Sequence, residues 1–334
     1  MPGVLLEIAF HDTEDPGDAD DLREPVFRQI AARAVSQGIV KYFAERDGAE
    51  GFLSPEPPAR LAARTTGPGQ VTLTWAAPPC CEGVGGDAAS SYKVYHSASG
   101  RAFDNGAGVT GTTHTLNGLA AGSVHFFRVT ALNGGGESFA SPVVAVRLPA
   151  AGKAPCLLIV DGFDRLDQES MIAQWEAPFL GTDQRMFLER MNRRDYAIEH
   201  GQSLSDCGLA FDGAVNEAVE SGDVVLDGYA AVDWFTGEDS TADAALSQDE
   251  QALLAAYLDG GGRLLISGSE IGYDLVEQGS NPTFYHDYLK AEYLGDDAGT
   301  HDFVGVGGGL FDGMAGGFDD GSGGTYLVGY ADRL

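Results

Sequence analysis

The chain has 334 residues, 43% of them hydrophobic and 10% aromatic, which is enough apolar surface for two or three cores and excludes a wholly disordered chain. With 50 acidic against 20 basic residues its formal net charge is −30; nucleic acid and anionic membrane surfaces are excluded as partners, and cations are the natural small ones. No run approaches the roughly 18 apolar residues of a membrane-spanning helix, and the 47 glycines favour strands joined by turns over a helical bundle.

Charge divides the chain into three. Residues 1–55 carry net −6, residues 56–152 net +1, and residues 153–334 net −25. Proline- and glycine-rich stretches at 48–57 and 150–155 read as linkers, so the expected organisation is multidomain, with units at 1–47, 58–149 and 156–334. Among the cysteines, Cys80 and Cys81 are adjacent and no zinc-ribbon spacing occurs. A Cys156–Cys207 bridge is open to an exported chain. The opening residues lack the basic start and long apolar run of a signal peptide.

In the first segment Val4-Leu5-Leu6 predicts a short buried strand with Glu7 at its end. An acidic loop follows from His11 to Asp21, where His11 is expected in solvent. Pro25 to Phe43 has helical spacing, with Val26, Ile30, Ala34 and Ile39 or Val40 near one face and Pro25 at the start. One strand and one helix are too small to bury a core, so this segment needs something else to pack on.

The middle segment alternates with period two in Val71–Trp75, Ser91–Tyr95 and Phe126–Ala131, between turn signals such as Asn117-Gly118 and Asn133-Gly134. That pattern predicts an all-β, immunoglobulin-like, seven-stranded sandwich with Trp75 in its core.

The third segment alternates strands and helices. Cys156–Val160, Ala230–Phe235 and Arg263–Ser267 read as parallel strands. Ser247 and Glu250 form a capping box at the start of a helix that stops at Gly260-Gly261-Gly262, a β-α-β unit, and a further helix is expected over Pro282–Leu294. Ligands of such sheets sit beyond the carboxyl ends of the strands, where Asp161, Asp164, Glu238 and Glu270 fall. Their hard oxygens suit Ca²⁺ or Mg²⁺. Gly268-Ser269-Glu270-Ile271-Gly272 has Glu270 where a nucleophile elbow needs Ser or Cys, which argues against a serine or cysteine hydrolase. Beyond Phe303 the chain is glycine-rich, and Tyr326–Tyr330 reads as a last strand so near the end that the sheet is expected to be cut short.

Three resemblances follow from these residues. Gly3–Phe10, the acidic loop, Phe27–Ala31 and Gly38–Phe43 together resemble the C-terminal end of the zinc-dependent N-acetylmuramoyl-L-alanine amidases, over about the first 44 residues. The resemblance implies an α/β remnant of a peptidoglycan-cleaving domain, with Glu7 as the glutamate beside the zinc-bound water. That family's zinc ligands lie upstream of this strand, so the expectation is an N-terminally truncated, inactive piece of an exported enzyme, extracellular or in the cell envelope. Pro57-Pro58, Trp75, Tyr92–Tyr95, Leu119–Gly122 and Arg128–Asn133 resemble a fibronectin type III domain, with His125 where the family usually carries a tyrosine. Such a domain implies a spacer. The third segment resembles flavodoxin-like or glutamine-amidotransferase-like folds at the level of the fold alone, which carries no function. The expected partner is peptidoglycan or another wall component. The alternatives are a non-catalytic binding or spacer protein, and an enzyme or cation site in the acidic α/β unit.

Overall fold

A computed structural model describes residues 5–10, 17–78, 85–150, 153–178, 181–187, 190–240, 244–318 and 328–334. His11, Cys80, Cys81 and the Tyr326–Leu327 part of the expected last strand lie outside these residues. Among the described residues no helix is long and apolar enough to cross a membrane.

The chain opens with helices α1 (Asp18–Arg23) and α2 (Pro25–Asp47). Glu24 caps α2 by accepting from the Val26 amide, and Gly48, at φ 63°, ends it in the left-handed conformation that glycine adopts most cheaply. Strands β1 (Ala59–Gly67), β2 (Gln70–Ala76), β3 (Ser91–Ser97), β4 (Ala107–Val109), β5 (Thr113–Leu116), β6 (Val124–Asn133), β7 (Gly136–Glu137) and β8 (Val144–Arg147) follow. They pair antiparallel as β1-β2-β5 and as β4-β3-β6-β8, two faces of a sandwich. Leu61, Leu73, Val94, Phe127 and Val129 fill it, and Trp75, 5% exposed, meets Tyr92 edge-on at 5.5 Å.

The remainder contains β9 (Leu157–Asp161), the hairpin β10 (Ile172–Ala177) and β11 (Gly181–Arg185), α3 (Ala197–Asp206), β12 (Phe211–Val215), α4 (Asn216–Glu220), β13 (Ala231–Gly237), α5 (Gln248–Asp259), β14 (Leu264–Gly268), α6 (Pro282–Phe284), and the hairpin β15 (Asp302–Val304) and β16 (Ala315–Gly317). Strands β12, β9, β13 and β14 lie side by side in that order, all parallel.

The parallel strands and the sandwich are one continuous sheet. Strand β12 pairs antiparallel with β8 at Phe211↔Arg147 and with β1 at Ala62↔Ala214 and Ala63↔Gly213. It therefore covers sandwich edges that would otherwise present unpaired backbone groups. The approach is close: a Cβ on Gly213 would stand 2.3 Å from the Ala145 carbonyl oxygen, so only glycine fits. Leu61, Phe127 and Val146 share one apolar cluster with Leu158, Trp234 and Leu254, while Phe126, Ile198, Phe211 and Phe235 form a second beneath α3. The proline-rich stretch near 150–155 separates two lengths of chain but not two cores.

Several expectations are corrected. Residues 5–10 form no strand; Leu5 is 84% exposed and Phe10 70%, because no neighbouring strand completes a backbone ladder for them. The acidic loop contains the short helix α1. The helix expected over Pro282–Leu294 is α6 plus one π-helical turn, Tyr285–Leu289, closed by Lys290 at φ 58°. Residues 328–330 are not a strand; near the end Arg333 makes an isolated bridge to Gly295. Cys156 and Cys207 are free thiols, not a bridge.

Candidate functional site

The order of the parallel strands reverses between β9 and β13, and the loops leaving their carboxyl ends meet there. Gly162 donates its amide to the Phe235 carbonyl (2.9 Å), which draws the loop after β9 onto β13. Asp239 then accepts the amides of Asp164 (3.3 Å) and Arg165 (2.9 Å), while Asn192 Nδ2 donates to the carbonyls of Phe163 (2.7 Å) and Arg165 (3.2 Å). The loop is thus held from both sides. Arg165 is buried and fully directed: Nε to Asp167 (2.6 Å), Nη2 to Glu169 (2.9 Å), Nη1 to the Glu238 carbonyl (3.0 Å).

The carboxylates fall into two groups. On the β9–β12 side, Asn216 Nδ2 donates to Asp164 (3.2 Å) and to Glu250 (3.0 Å). Glu250 also closes the capping box of α5, accepting from the Ser247 amide (2.7 Å) while Ser247 Oγ accepts from the Glu250 amide (3.1 Å). Burial lifts the Glu250 carboxyl to about 7, against the hydrogen bonds from Asn216 and Ser247. Burial pushes Asp161 well above the usual carboxylate range; the Phe163 amide opposes this, and Asp164 and Glu217 add like-charge repulsion. Glu217 is raised by burial and by Asp164.

On the β13–β14 side burial lifts Glu238 to about 7, with the Gly329 amide and Arg165 pulling it down and Glu270 pushing it up. Glu270 is raised by burial, opposed by a short hydrogen bond from the Ser240 hydroxyl and by Arg165. Asp332 accepts the amides of Gly272 (2.6 Å) and Tyr273 (3.2 Å), and burial still carries it to about 6.

Of the four acids predicted to share a site, Asp164 acts on Asp161 and Glu270 acts on Glu238, with the Arg165 loop in contact with the second pair. Among the described residues no three His, Cys, Asp or Glu side chains cluster as a bound metal ion requires. The arrangement instead offers carboxyl groups that burial pushes toward keeping their protons near neutrality. Glu7 lies far along the chain in the exposed stretch 5–10, with no metal-binding set of described residues around it.

Residues that organise the site were missed by pattern reading. Asn192, Asn216 and Asp332 sit in loops or at helix starts, where Asn and Asp are ordinary. Their partners, backbone groups and for Asn216 the Asp164 and Glu250 carboxylates, are brought near only by the fold, while Asp239 reads in the sequence only as one of the polar residues after Phe235. His200 on α3 was also missed; its Nδ1 meets Asp233 Oδ2 on β13 at 2.9 Å and its ring stacks on Phe235 at 4.4 Å, tying the helix to the sheet.

Residues 56–147 match the family model of the fibronectin type III domain. Human neogenin is 29% identical over 128 residues, covering 37% of this chain and 8% of neogenin. Rat neogenin is 28% identical over 132 residues, covering 38% and 9%. The chain thus spans under a tenth of the length of these curated relatives. Among solved structures, the fibronectin type III domain of human fibronectin type III domain containing protein 3 is 27% identical, covering 31% of this chain and 96% of that one with a TM-score of 0.26. The twitchin kinase region from C. elegans is 28% identical, covering 30% and 17%, also with a TM-score of 0.26. Residues 56–147 are a fibronectin type III domain within a multidomain chain.

Proposed function

We propose that this chain is a spacer and binding part of an exported cell-wall amidase, and is not itself catalytic. In this reading the N-terminal segment with α2 joins a zinc-dependent catalytic fold, and the sandwich with its parallel strands is a stiff arm carrying a wall-binding surface. The observation that carries this reading is the number of exposed apolar side chains in the N-terminal segment. Val26, Ile30, Ile39, Tyr42 and Phe43 on α2 are each about half exposed, and Leu5, Leu6, Ile8 and Phe10 flank Glu7 in solvent. Apolar side chains left this exposed, on more than one side of α2, are the kind of surface that a further part of a protein covers. The described residues supply no zinc-binding set, so Glu7 has no metal-bound water to act on and no hydrolytic step is assigned to this chain.

The test is a pair of assays on purified sacculi. The chain should co-pellet with peptidoglycan and release no dye-labelled fragments, with or without added zinc. Fragment release by the chain alone would end the non-catalytic reading, and failure to co-pellet would end the wall-binding one.

A second reading is favoured by Glu238 and Glu270, which come close enough beside Arg165 for Glu270 to push the Glu238 carboxyl up. It places a ligand or a Ca²⁺ or Mg²⁺ ion at the strand ends. Thermal melts at pH 8, with ionic strength matched by NaCl, separate it: a saturable rise with CaCl₂ or MgCl₂ supports the cation, and identical melts remove it.

A further inference from the structure

The end of the sandwich core carries two imidazoles where aliphatic or aromatic residues would continue the pattern. On β3 the inward side chains are Tyr92, Val94 and then His96; on β6 they are Val129, Phe127 and then His125. The rings are 4.9 Å apart, and His96 stacks on Phe127 at 5.0 Å. His125 is 8% exposed. The hydrogen bonds form a directional chain. Ser123 Oγ donates to the Ala120 carbonyl, so its oxygen accepts from His125 Nε2 (2.6 Å). That leaves His125 Nδ1 bare, to accept from His96 Nε2 (2.8 Å). The network places a proton on Nε2 of each ring and makes His125 neutral, with its Nδ1 the acceptor.

The same corner holds the exit of the sandwich. Gly122 donates its amide to the Leu148 carbonyl (2.9 Å), and Leu148 donates to Ser123 (3.1 Å). Leu148 follows β8, the strand that pairs with β12, and leads to β9. We infer that Ser123, His125 and His96 form an acid-operated latch: a proton on His125 Nδ1 sets two N–H donors face to face, drives the His125 ring away from His96 and, through its Nε2 bond to Ser123, pulls the 117–124 corner off Leu148, loosening the sandwich where it joins the parallel strands.

Charged groups around the pair do not replace the lost bond. Burial holds His96 below the free imidazole value, and Asp104, which accepts the His96 backbone amide (3.1 Å), pulls it only partly back. Arg147 on β8 passes beside Gly122 and donates to the carbonyls of Gly208 and Leu209, adding a positive charge that opposes a second one. Arg128 on β6 lies over the rings of Tyr95 and Phe103 on the other face of the strand. Burial, with His96 as the lesser cause, holds His125 down to about 4, so the latch is closed at neutral pH and strained below it.

Amide hydrogen exchange on the full chain tests this. One proton taken up on opening raises the open fraction by up to tenfold per pH unit well below the free imidazole value, so corner peptides covering 117–124 and 146–148 should lose protection about 40-fold between pH 6.5 and 4.5, after correction for intrinsic rates. His125→Tyr, which puts the usual residue of the domain family at this position, should keep its protection over that range. Equal loss in both proteins, or no loss in the wild type, overturns the latch. Should His125→Tyr not fold, nitrogen NMR titration of the wild type decides. His125 must stay neutral with its proton on Nε2 at pH 6 and gain its second proton together with corner opening; protonation while the corner stays closed overturns the proposal.

Discussion

The end of the sandwich core and the carboxyl ends of the parallel strands both keep ionisable groups out of water, with opposite consequences. Burial penalises charge of either sign, so it pushes His125 down to about 4 and lifts Glu238 and Glu250 to about 7. The groups on both sides are held neutral near pH 6. Acid then strains the sandwich, while alkali strains the parallel strands, which sit in the segment of net charge −25. Since the two regions share strand β12, neither strain stays local, and the chain should be most stable in a narrow window between them.

The largest effect should come from breaking what the two regions share. Gly213→Ala puts a methyl group against the Ala145 carbonyl and should cost roughly 3 kcal/mol, lowering a calorimetric melt by about 10 °C. Two separate transitions in the wild-type melt would show that the regions unfold independently and would dissolve the comparison.

Next is the response of the carboxyl groups to pH. Glu238 titrates from an ordinary value near 4.5 in the unfolded chain to about 7 in the folded one. The native state therefore binds the extra proton between those values, and stability falls as pH rises through that window. Glu238→Gln should remove up to about 3 kcal/mol of that loss and melt higher than wild type at pH 8, while at pH 4 the two should agree. An unchanged difference from pH 4 to pH 8 would assign Glu238 no buried proton.

A smaller effect is expected at Ser247, whose hydroxyl caps α5. Ser247→Ala should cost about 1 kcal/mol in a denaturant titration at constant slope. Smallest of all, Ile30→Ser on the exposed side of α2 should change stability by less than about 0.5 kcal/mol. A loss of several kcal/mol would mean that this face is already covered within the chain.

Much of the local structure could be read directly. Period-two alternation located β2, β3 and β6 and put Trp75 inside. Ser247, Glu250 and the glycines at 260–262 bounded α5 nearly to the residue, because caps and turns depend on neighbours a few positions away. Strand β12 escaped notice. It is five residues long and contains Asp212 and Gly213, neither of which favours a strand. Asp212 is tolerated there because the amide of Thr65 (2.8 Å) and the hydroxyl of Tyr229 (2.9 Å) reach it from distant elements.

The sequence by itself determined which stretches alternate, where helices start and stop, and that the first segment lacks the apolar mass to bury its own side chains. Only the tertiary structure decided that β12 fuses sandwich and parallel sheet, that the four acids divide into two pairs, and that His96 meets His125. Those outcomes rest on contacts between residues far apart in the chain, where pairing and desolvation are set by the company a group keeps in space rather than by its neighbours in sequence.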